Sequence, residues 1–384
     1  IIQKSASPFK SPLLLIRKEG HPDEPPVINQ YRVVHDYRRL NENTTIDKYP
    51  LPNLYELVDT VARKGVWTVI NLSSGCWNQE LEPESRPYTA FGLSGLGHWE
   101  YTRSAHGLCN SPIAFQRLLD YVLDGLDGVY VYTEEIIIGT DTHEEQIKTL
   151  ERVFNRFRQF GIKCQISRIQ LGATRVHYLG YDILSGGKMK VGCVRVHPVS
   201  AWNTPVSGKE AKHFLNLCSI FKRSVPKFAT IASPLARVAD TQSTWRGGLL
   251  PGPAVDALYK LKGSIINRHS VKAADMNLEF ILTVRTTTFS LEATLSQVGL
   301  DGKERPCAHT SRLLFETETQ WVETIRELGA LKWAMYHFGT YLIGKEFLVR
   351  MAPPLQTEFT PAQRAQMTRI WKSMENFLPF RLEY

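Results

Sequence analysis

Residues 129–138, VYVYTEEIII, set two apolar runs around an acidic pair. Val129, Tyr130, Val131 and Tyr132 on one side, and Ile136, Ile137 and Ile138 on the other, are β-branched or aromatic. That composition predicts a tight hairpin with both arms buried and Thr133, Glu134 and Glu135 at its tip. Short apolar runs at 13–16, 31–34 and 66–72 predict further strands. The polar, Pro-rich stretch KEGHPDEPPVINQ separates the first two as a loop. A helix is predicted from Pro112, a residue suited to the first helical position, to about residue 126. Phe115, Leu118, Leu119, Val122 and Leu123 recur at helical spacing and make its buried stripe. A second helix spans 143–160. Thr142 is its N-cap, Glu145 completes a capping box, and Gly161 ends it. Its apolar face is Ile147, Leu150, Val153, Phe154 and Phe157. Residues 163–184 read as more strands, giving an α+β sheet with helices packed on one side.

Beyond residue 186 the pattern changes. Lys188, Lys190, Arg195, Lys209, Lys212, Lys222, Arg223 and Lys227 crowd a short stretch that predicts a basic helix and turn, either a clamp on a phosphate backbone or a solvated charged face. TQSTWRGGLLPGPA, 241–254, has linker composition. A helix near 254–266 follows, then strands at 278–284 and 287–296 and a turn at LDGKE. The helical stretch WVETIRELGALKWAMYHFGTYL, the strand FLVRM and a helix near 361–376 leading to FRLEY complete a second α+β domain. There is no internal repeat.

At 384 residues the chain is longer than one core usually organises. A net charge of +8 favours an anionic partner, nucleic acid first. Arg32, Arg38 and Arg39 lie beside Tyr31 and Tyr37, a mixture that suits phosphates and bases or forms a solvated basic edge. Cys76, Cys109, Cys164, Cys193, Cys218 and Cys307 are scattered, without a CxxC pair or a His at zinc-ligand spacing. That argues against a zinc site and a disulfide framework and fits a reducing, intracellular compartment. No run reaches membrane-spanning length and no signal peptide opens the chain. Its abrupt start, without Met, reads as a piece of a longer product. The adjacent carboxylates Glu134 and Glu135 fit either a cation-binding tip or a solvated acidic turn.

Several long segments occur together in one order: YRVVHDYRRLNENTTIDKYPLPN, LSSGCWNQELEPESRPYTAF, GLCNSPIAFQRLLDYVLDGL, the YTEE hairpin running into IIIGTDTHEEQIKTLERVF, and VHYLGYDI. In that order they resemble the reverse transcriptases of gypsy-type LTR retrotransposons and retroviruses. PVSGKEAKHFLNLCSIFKRSVPKFATIASPL resembles the thumb of that family. LSQVGLDGKERPCAHTSRLL and ETIRELGALKWAMYHFGTYLIGKEFLVR resemble its RNase H domain. The resemblance implies a right-hand fold of fingers and palm (1–186) and thumb (187–240), a linker and helix (241–277), and an RNase H-like domain (278–384).

It also implies where chemistry would sit. The family holds two metal ions on an Asp after the strand VWTVI and two Asp at the hairpin tip. This chain has Asn71, Glu134 and Glu135 there. Asn71 has lost its charge, and each Glu is longer by a C–C bond of about 1.5 Å, beyond the roughly 0.5 Å that a catalytic constellation tolerates. Cys76 stands where the family has an aromatic residue under the incoming sugar. Asn78 replaces a Gln, and His106 a Phe. Arg32, matching a triphosphate contact, and Gln116, matching a template-side contact, are kept. In the RNase H region the family's carboxylates align with Arg285, Glu327 and Ala352. One ligand in three does not hold two metals, and Glu327 then reads as a helix-surface carboxylate.

The expectation is a retroelement-derived reverse transcriptase/RNase H-like protein that has lost catalysis and serves as a nucleic-acid-binding or structural subunit. No cofactor and no high-affinity metal are expected, with Mg²⁺ relevant only to residual activity. The partners are RNA, DNA or their hybrid, with a protein partner or a homodimer also open, and no membrane. Two alternatives stand beside it: an active polymerase with an Asn-Glu-Glu metal site, and a protein-interaction scaffold that does not touch nucleic acid.

Overall fold

The computed structural model describes residues 1–17, 31–72, 75–240, 245, 247–267, 270–353 and 358–384, with the side chains of residues 17 and 32 excepted. The loop expected at 18–30 and part of the linker at 241–254 lie outside the described residues. The chain divides into two compact units, Ile1–Leu179 and Gly180–Tyr384. The division falls shortly before the 186/187 boundary drawn from the sequence.

The first unit runs β1 (Ile2–Lys4), β2 (Leu13–Arg17), β3 (Tyr31–His35), α1 (Arg38–Glu42), α2 (Leu54–Ala62), β4 (Val66–Asn71), β5 (Phe91–Leu93), β6 (Gly97–Tyr101), α3 (Ser111–Leu123), β7 (Val129–Tyr132), β8 (Glu135–Thr140), α4 (His143–Phe160), β9 (Gln170–Ala173) and β10 (Arg175–Tyr178). Its centre is the antiparallel sheet β7-β8-β4-β9. Successive strand residues point to opposite faces. Ile70, Ile136 and Ile138 face one way and pack with Phe115, Leu119 and Val122 of α3 and Val153 and Phe157 of α4. Trp67, Val69 and Ile137 face the other way and are buried too. The Trp67 indole N–H donates to the Val61 carbonyl of α2 at 2.9 Å. The sheet is therefore buried on both faces, not covered by helices on one side, which is why β4 and β8 read as unbroken apolar runs. Only β8 is a fully buried arm. β7 keeps Tyr130 and Tyr132 half-exposed because it lies at the sheet edge.

The stripe predicted for α3 is its core face. In α4 the expected stripe is the core face at Leu150, Val153, Phe154 and Phe157, and departs from it only at Ile147. Gln146 and Thr149 are buried, while Ile147 is 59% exposed. Gln146 goes inside because its carbonyl oxygen accepts from the Thr140 hydroxyl at 2.6 Å. Thr142 caps α4, accepting from the Glu145 N–H at 3.2 Å, and Gly161 closes it in the left-handed conformation. The Glu145 carboxylate accepts from the N–H of Asp141, so the reciprocal bond of a capping box to Thr142 is not made.

The second unit runs β11 (Tyr181–Leu184), β12 (Lys188–Val191), α5 (Cys193–Ser200), α6 (Gly208–Ser219), α7 (Phe228–Ala239), α8 (Gly252–Ile266), β13 (Val271–Lys272), β14 (Phe280–Thr286), β15 (Ser290–Val298), β16 (Glu304–Leu313), α9 (Glu316–Thr319), α10 (Glu323–His337), α11 (Gly339–Leu342), β17 (Phe347–Arg350), α12 (Pro361–Lys372) and β18 (Phe380–Glu383). The main sheet has the order β16-β15-β14-β17-β18, antiparallel across its first three strands and parallel across the last two pairs. FRLEY, left unassigned by its sequence pattern, supplies the fifth strand. Phe280, Leu282 and Val349 pack against Leu331, Ala334 and Met335 of α10.

The basic helical region is joined to this sheet. Ala229 of α7 donates its N–H to the Ser311 hydroxyl at 2.8 Å, and the His309 N–H reaches the Arg223 carbonyl at 2.9 Å. β13 pairs with β12, so the stretch expected as linker and helix also supplies a strand. No helix among the described residues is long and apolar enough to cross a membrane.

Candidate functional site

Strand register brings the first three site residues together. Asn71, the last residue of β4, lies opposite Glu135, the first of β8. Thr133 and Glu134 form the two-residue turn between β7 and β8, with Thr133 at φ +51°. The Leu72 N–H donates to the Glu134 carbonyl at 2.8 Å, tying the turn to the end of β4. These residues line a cavity of about 380 Å³ with Cys76, His106 and Phe115.

Gln116 fixes the turn. It is fully buried on α3, and its side-chain carbonyl accepts from the Thr133 N–H at 2.6 Å. Its amide donates to Asp120 Oδ1 at 2.8 Å and to the Val131 carbonyl at 3.3 Å. The resemblance gives Gln116 a template-side contact. The structure instead engages it on the hairpin and buries it, because the left-handed turn leaves a backbone donor needing a partner inside the protein.

The adjacent carboxylates face different partners. Glu135 Oε2 accepts from the Leu179 N–H at 3.1 Å. Tyr178 donates its hydroxyl to the Glu135 carbonyl at 3.5 Å, and burial, with Glu135 next, raises the Tyr178 pKa far above the phenol range. Glu134 approaches Cys76 and His106. As a seat for two hard divalent cations this set does not fit. One of the three ligand positions is a neutral amide, and one carboxylate is drawn to a backbone N–H.

Cys76 sits in a 3-10 turn, Gly75–Asn78, seated against α3. A Cβ on Gly75 would lie 2.3 Å from the Phe115 ring, so only glycine permits this approach. The Cys76 thiol is 4% exposed and 3.5 Å from His106 Nδ1. Spacing along the chain did not show this pair. Its only sequence signal was that Cys76 and His106 both replace aromatic residues of the family the chain resembles.

Arg32 lies on β3 opposite Ile16, and its side chain lies outside the described residues. Arg38 is paired with Asp36 at 2.6 Å, which holds that carboxyl at about 2. Tyr37 is core, 2% exposed, with its hydroxyl donated to the Thr89 carbonyl at 3.1 Å. It is not a stacking surface beside the arginines. Of the basic residues after 186, Arg223 is buried, whereas Lys209, Lys212, Lys222 and Lys227 are exposed.

The second constellation also converges. Arg285 on β14, Glu327 on α10 and Ala352 after β17 line one cavity of about 590 Å³ with Glu323, Arg350 and Glu383. Arg350 is held by Glu304 at 2.6 Å and by Glu383. Glu327 is 7% exposed, not a surface carboxylate, because it lies on the face of α10 turned toward the sheet. Burial, then the charge of Glu323 one turn earlier, raises its pKa to about 7. A guanidinium, a single carboxyl whose burial disfavours its charged form, and a methyl group do not seat a metal pair.

Residues 16–183 match the family described as reverse transcriptase (RNA-dependent DNA polymerase), and residues 254–349 match the RNase H-like domain found in reverse transcriptase. The chain is 30% identical over its whole length to the retrovirus-related Pol polyprotein from transposon 297 of Drosophila melanogaster, covering 35% of that protein. It is 27% identical to that from transposon gypsy of the same fly, with 97% of this chain and 36% of the relative covered. The enzymatic polyprotein of figwort mosaic virus is 26% identical over 91% of the chain and 52% of its own length. The chain thus spans about a third of the length of the fly relatives. Among solved structures it is similar to the foamy viral protease-reverse transcriptase dRH in complex with double-stranded DNA (TM-score 0.84, 19% identity, 100% of this chain and 66% of that one). The foamy viral protease-reverse transcriptase in complex with RNA/DNA hybrid gives 0.81, again at 19% identity, with 100% and 51% covered.

Proposed function

Because this chain is a retroelement reverse transcriptase/RNase H-like protein, homologous to gypsy-type and retroviral Pol polyproteins, we propose that it is a non-catalytic member which binds RNA, DNA or their hybrid. The observation that carries this reading is the donor set in the two cavities. Asn71 with Glu134 and Glu135 in one, and Arg285 with Glu327 and Ala352 in the other, replace the convergent carboxylates that a metal pair needs. The scaffold around both cavities keeps its packing: Ile70, Phe115 and Ile136 are fully buried in the first unit, and Leu282, Ala334 and Val349 in the second. Substitutions gathered at the two cavities on a packed scaffold support a shape still used for binding. The nucleic acids in the foamy viral complexes support the class of ligand.

On this reading residues 1–186 act as fingers and palm, 187–240 as thumb, 241–277 as connector and 278–384 as an RNase H-like platform, in the cytoplasm or nucleus. Mg²⁺ enters only if activity remains.

The test is primer extension by the full chain on a primed RNA template, with Mg²⁺ and then Mn²⁺. The triple variant Asn71→Asp, Glu134→Asp, Glu135→Asp runs beside it, and both proteins enter a gel-shift with the same duplex. We expect no extension by the natural chain, extension by the variant, and a shift by both. Extension by the natural chain defeats the proposal. Absence of a shift removes nucleic acid as the ligand and leaves a scaffold for protein partners.

A further inference from the structure

We propose that the pocket at the end of β4 is a site for one soft divalent cation, zinc in type, held by Cys76, His106 and Glu134. Among the described residues these three form the one group of His, Cys, Asp or Glu side chains whose ligand atoms all lie within 4.8 Å of one another. The inference rests on its own donors, since Cys76 and His106 are not among the positions that the family resemblance gives to Mg²⁺.

Three features carry it. The first is distance. A tetrahedral zinc with Zn–S of about 2.3 Å and Zn–N of about 2.0–2.1 Å sets sulfur and nitrogen about 3.6 Å apart. Cys76 Sγ lies 3.5 Å from His106 Nδ1 and 3.8 Å from Nε2, so the separation suits a shared ion, and a rotation of the imidazole, which now sets both nitrogens almost equally far from the sulfur, turns one lone pair to it. The second is donor chemistry. A thiolate, an imidazole and a carboxylate favour zinc, cobalt or copper over magnesium, so these residues select against the ion the family resemblance leads one to expect. The third is position. Cys76 is buried, His106 and Glu134 are half-buried, and all three line one cavity, which leaves a fourth coordination position open to the solvent side. Charge agrees. A thiolate and a carboxylate cancel a divalent ion, so the occupied site is neutral and the repulsion between Glu134 and Glu135 is relieved.

The fold supports each ligand. Gly75 lets the Cys76 turn sit against Phe115. The Leu72 N–H and Gln116 hold the turn that carries Glu134. Trp77 packs beside the His106 ring at 5.7 Å between centroids. The sequence spacing argued against zinc because Cys76 and His106 are thirty residues apart, a separation that the fold closes.

The experiment uses the full chain freed of metal with a chelator. Zn²⁺ and Co²⁺ are titrated in the presence of excess Mg²⁺, bound metal is counted, and the Co²⁺ complex is followed by its absorption. We expect one ion per chain, no competition from Mg²⁺, and a sulfur-to-cobalt charge-transfer band. Cys76→Ser should abolish the band, and Cys76→Ser or His106→Phe should weaken Zn²⁺ binding by about 100-fold or more. Cys193→Ser, a change at an exposed cysteine outside the pocket, should alter neither. Should a pocket variant fail to fold, the natural protein decides, because its Co²⁺ complex should carry the thiolate band and one equivalent of Zn²⁺ should remove it. Binding without a thiolate band, retention of zinc by Cys76→Ser, a band that Zn²⁺ leaves in place, or no bound ion each overturns the proposal and reduces the pair to an ordinary thiol–imidazole contact. Primer extension with Mg²⁺ reads none of these quantities, so the two proposals fail separately.

Discussion

Glu327 shows how far a single side chain departs from its sequence reading. Its pKa is raised to about 7 from the usual 4.5 by burial, with Glu323 adding to the effect. The unfolded chain therefore ionises this group first as pH rises. The stability tied to its neutral form is complete below about pH 4.5 and is lost progressively as pH approaches and passes about 7. Glu327→Gln, neutral at every pH, should match the natural chain at pH 4.5 and exceed it by about 1–2 kcal/mol at pH 8, after allowance for water in the cavity. Urea melts at the two pH values check this, and a larger gain at the acid end contradicts it. Asn71, Glu134 and Glu135 at one cavity, and Arg285, Glu327 and Ala352 at the other, were named from ordered segments of sequence, whereas Glu323, Arg350 and Glu383 beside them were not. Which neighbour each side chain meets was not legible: Gln116 turned inward to the hairpin, and Tyr37 turned into the core.

The hairpin was legible as an element because β-branched runs flank a polar pair, and α4 because its cap and its terminal glycine are local signals. What holds the hairpin was not legible, since Gln116 comes from α3, outside the hairpin itself. Gln116→Leu keeps the size but leaves the Thr133 N–H and the Val131 carbonyl without that side chain. It should cost about 1–3 kcal/mol in a denaturant melt. A neutral result would mean that the turn is fixed by β4 pairing alone. One position of the α4 face, Ile147, was misread for a related reason. Hydrophobicity put Ile147 inside, but the buried hydroxyl of Thr140 selects Gln146.

For the whole molecule, the charge of +8 bears on association, not on fold. If the chain binds a nucleic-acid backbone, its affinity for RNA–DNA hybrid falls steeply with salt. Lys209→Gln with Lys212→Gln, two exposed positions on α6, should weaken binding to every sequence alike and lower the salt slope by about 1 for each lysine. Filter binding across a salt series measures both. An unchanged slope would remove this helix from the interface. Arg223, buried and with its carbonyl bonded to His309, belongs to the packing of the second unit and is left out of that test.

By itself the sequence determined the class of fold, the family, and the elements with strong local signals, β4, the β7–β8 hairpin, α3 and α4. These are properties of local pattern and of residue identity at aligned positions, and they survive without coordinates. Tertiary structure alone decided what surrounds the candidate site residues. It buried Glu327, set β18 beside β17, bonded α7 to β16, and closed thirty residues of chain to bring Cys76 against His106. Each of these depends on contacts between segments distant in sequence. Such contacts are fixed by the packing of buried faces and the pairing of buried polar groups, neither of which a one-dimensional pattern records.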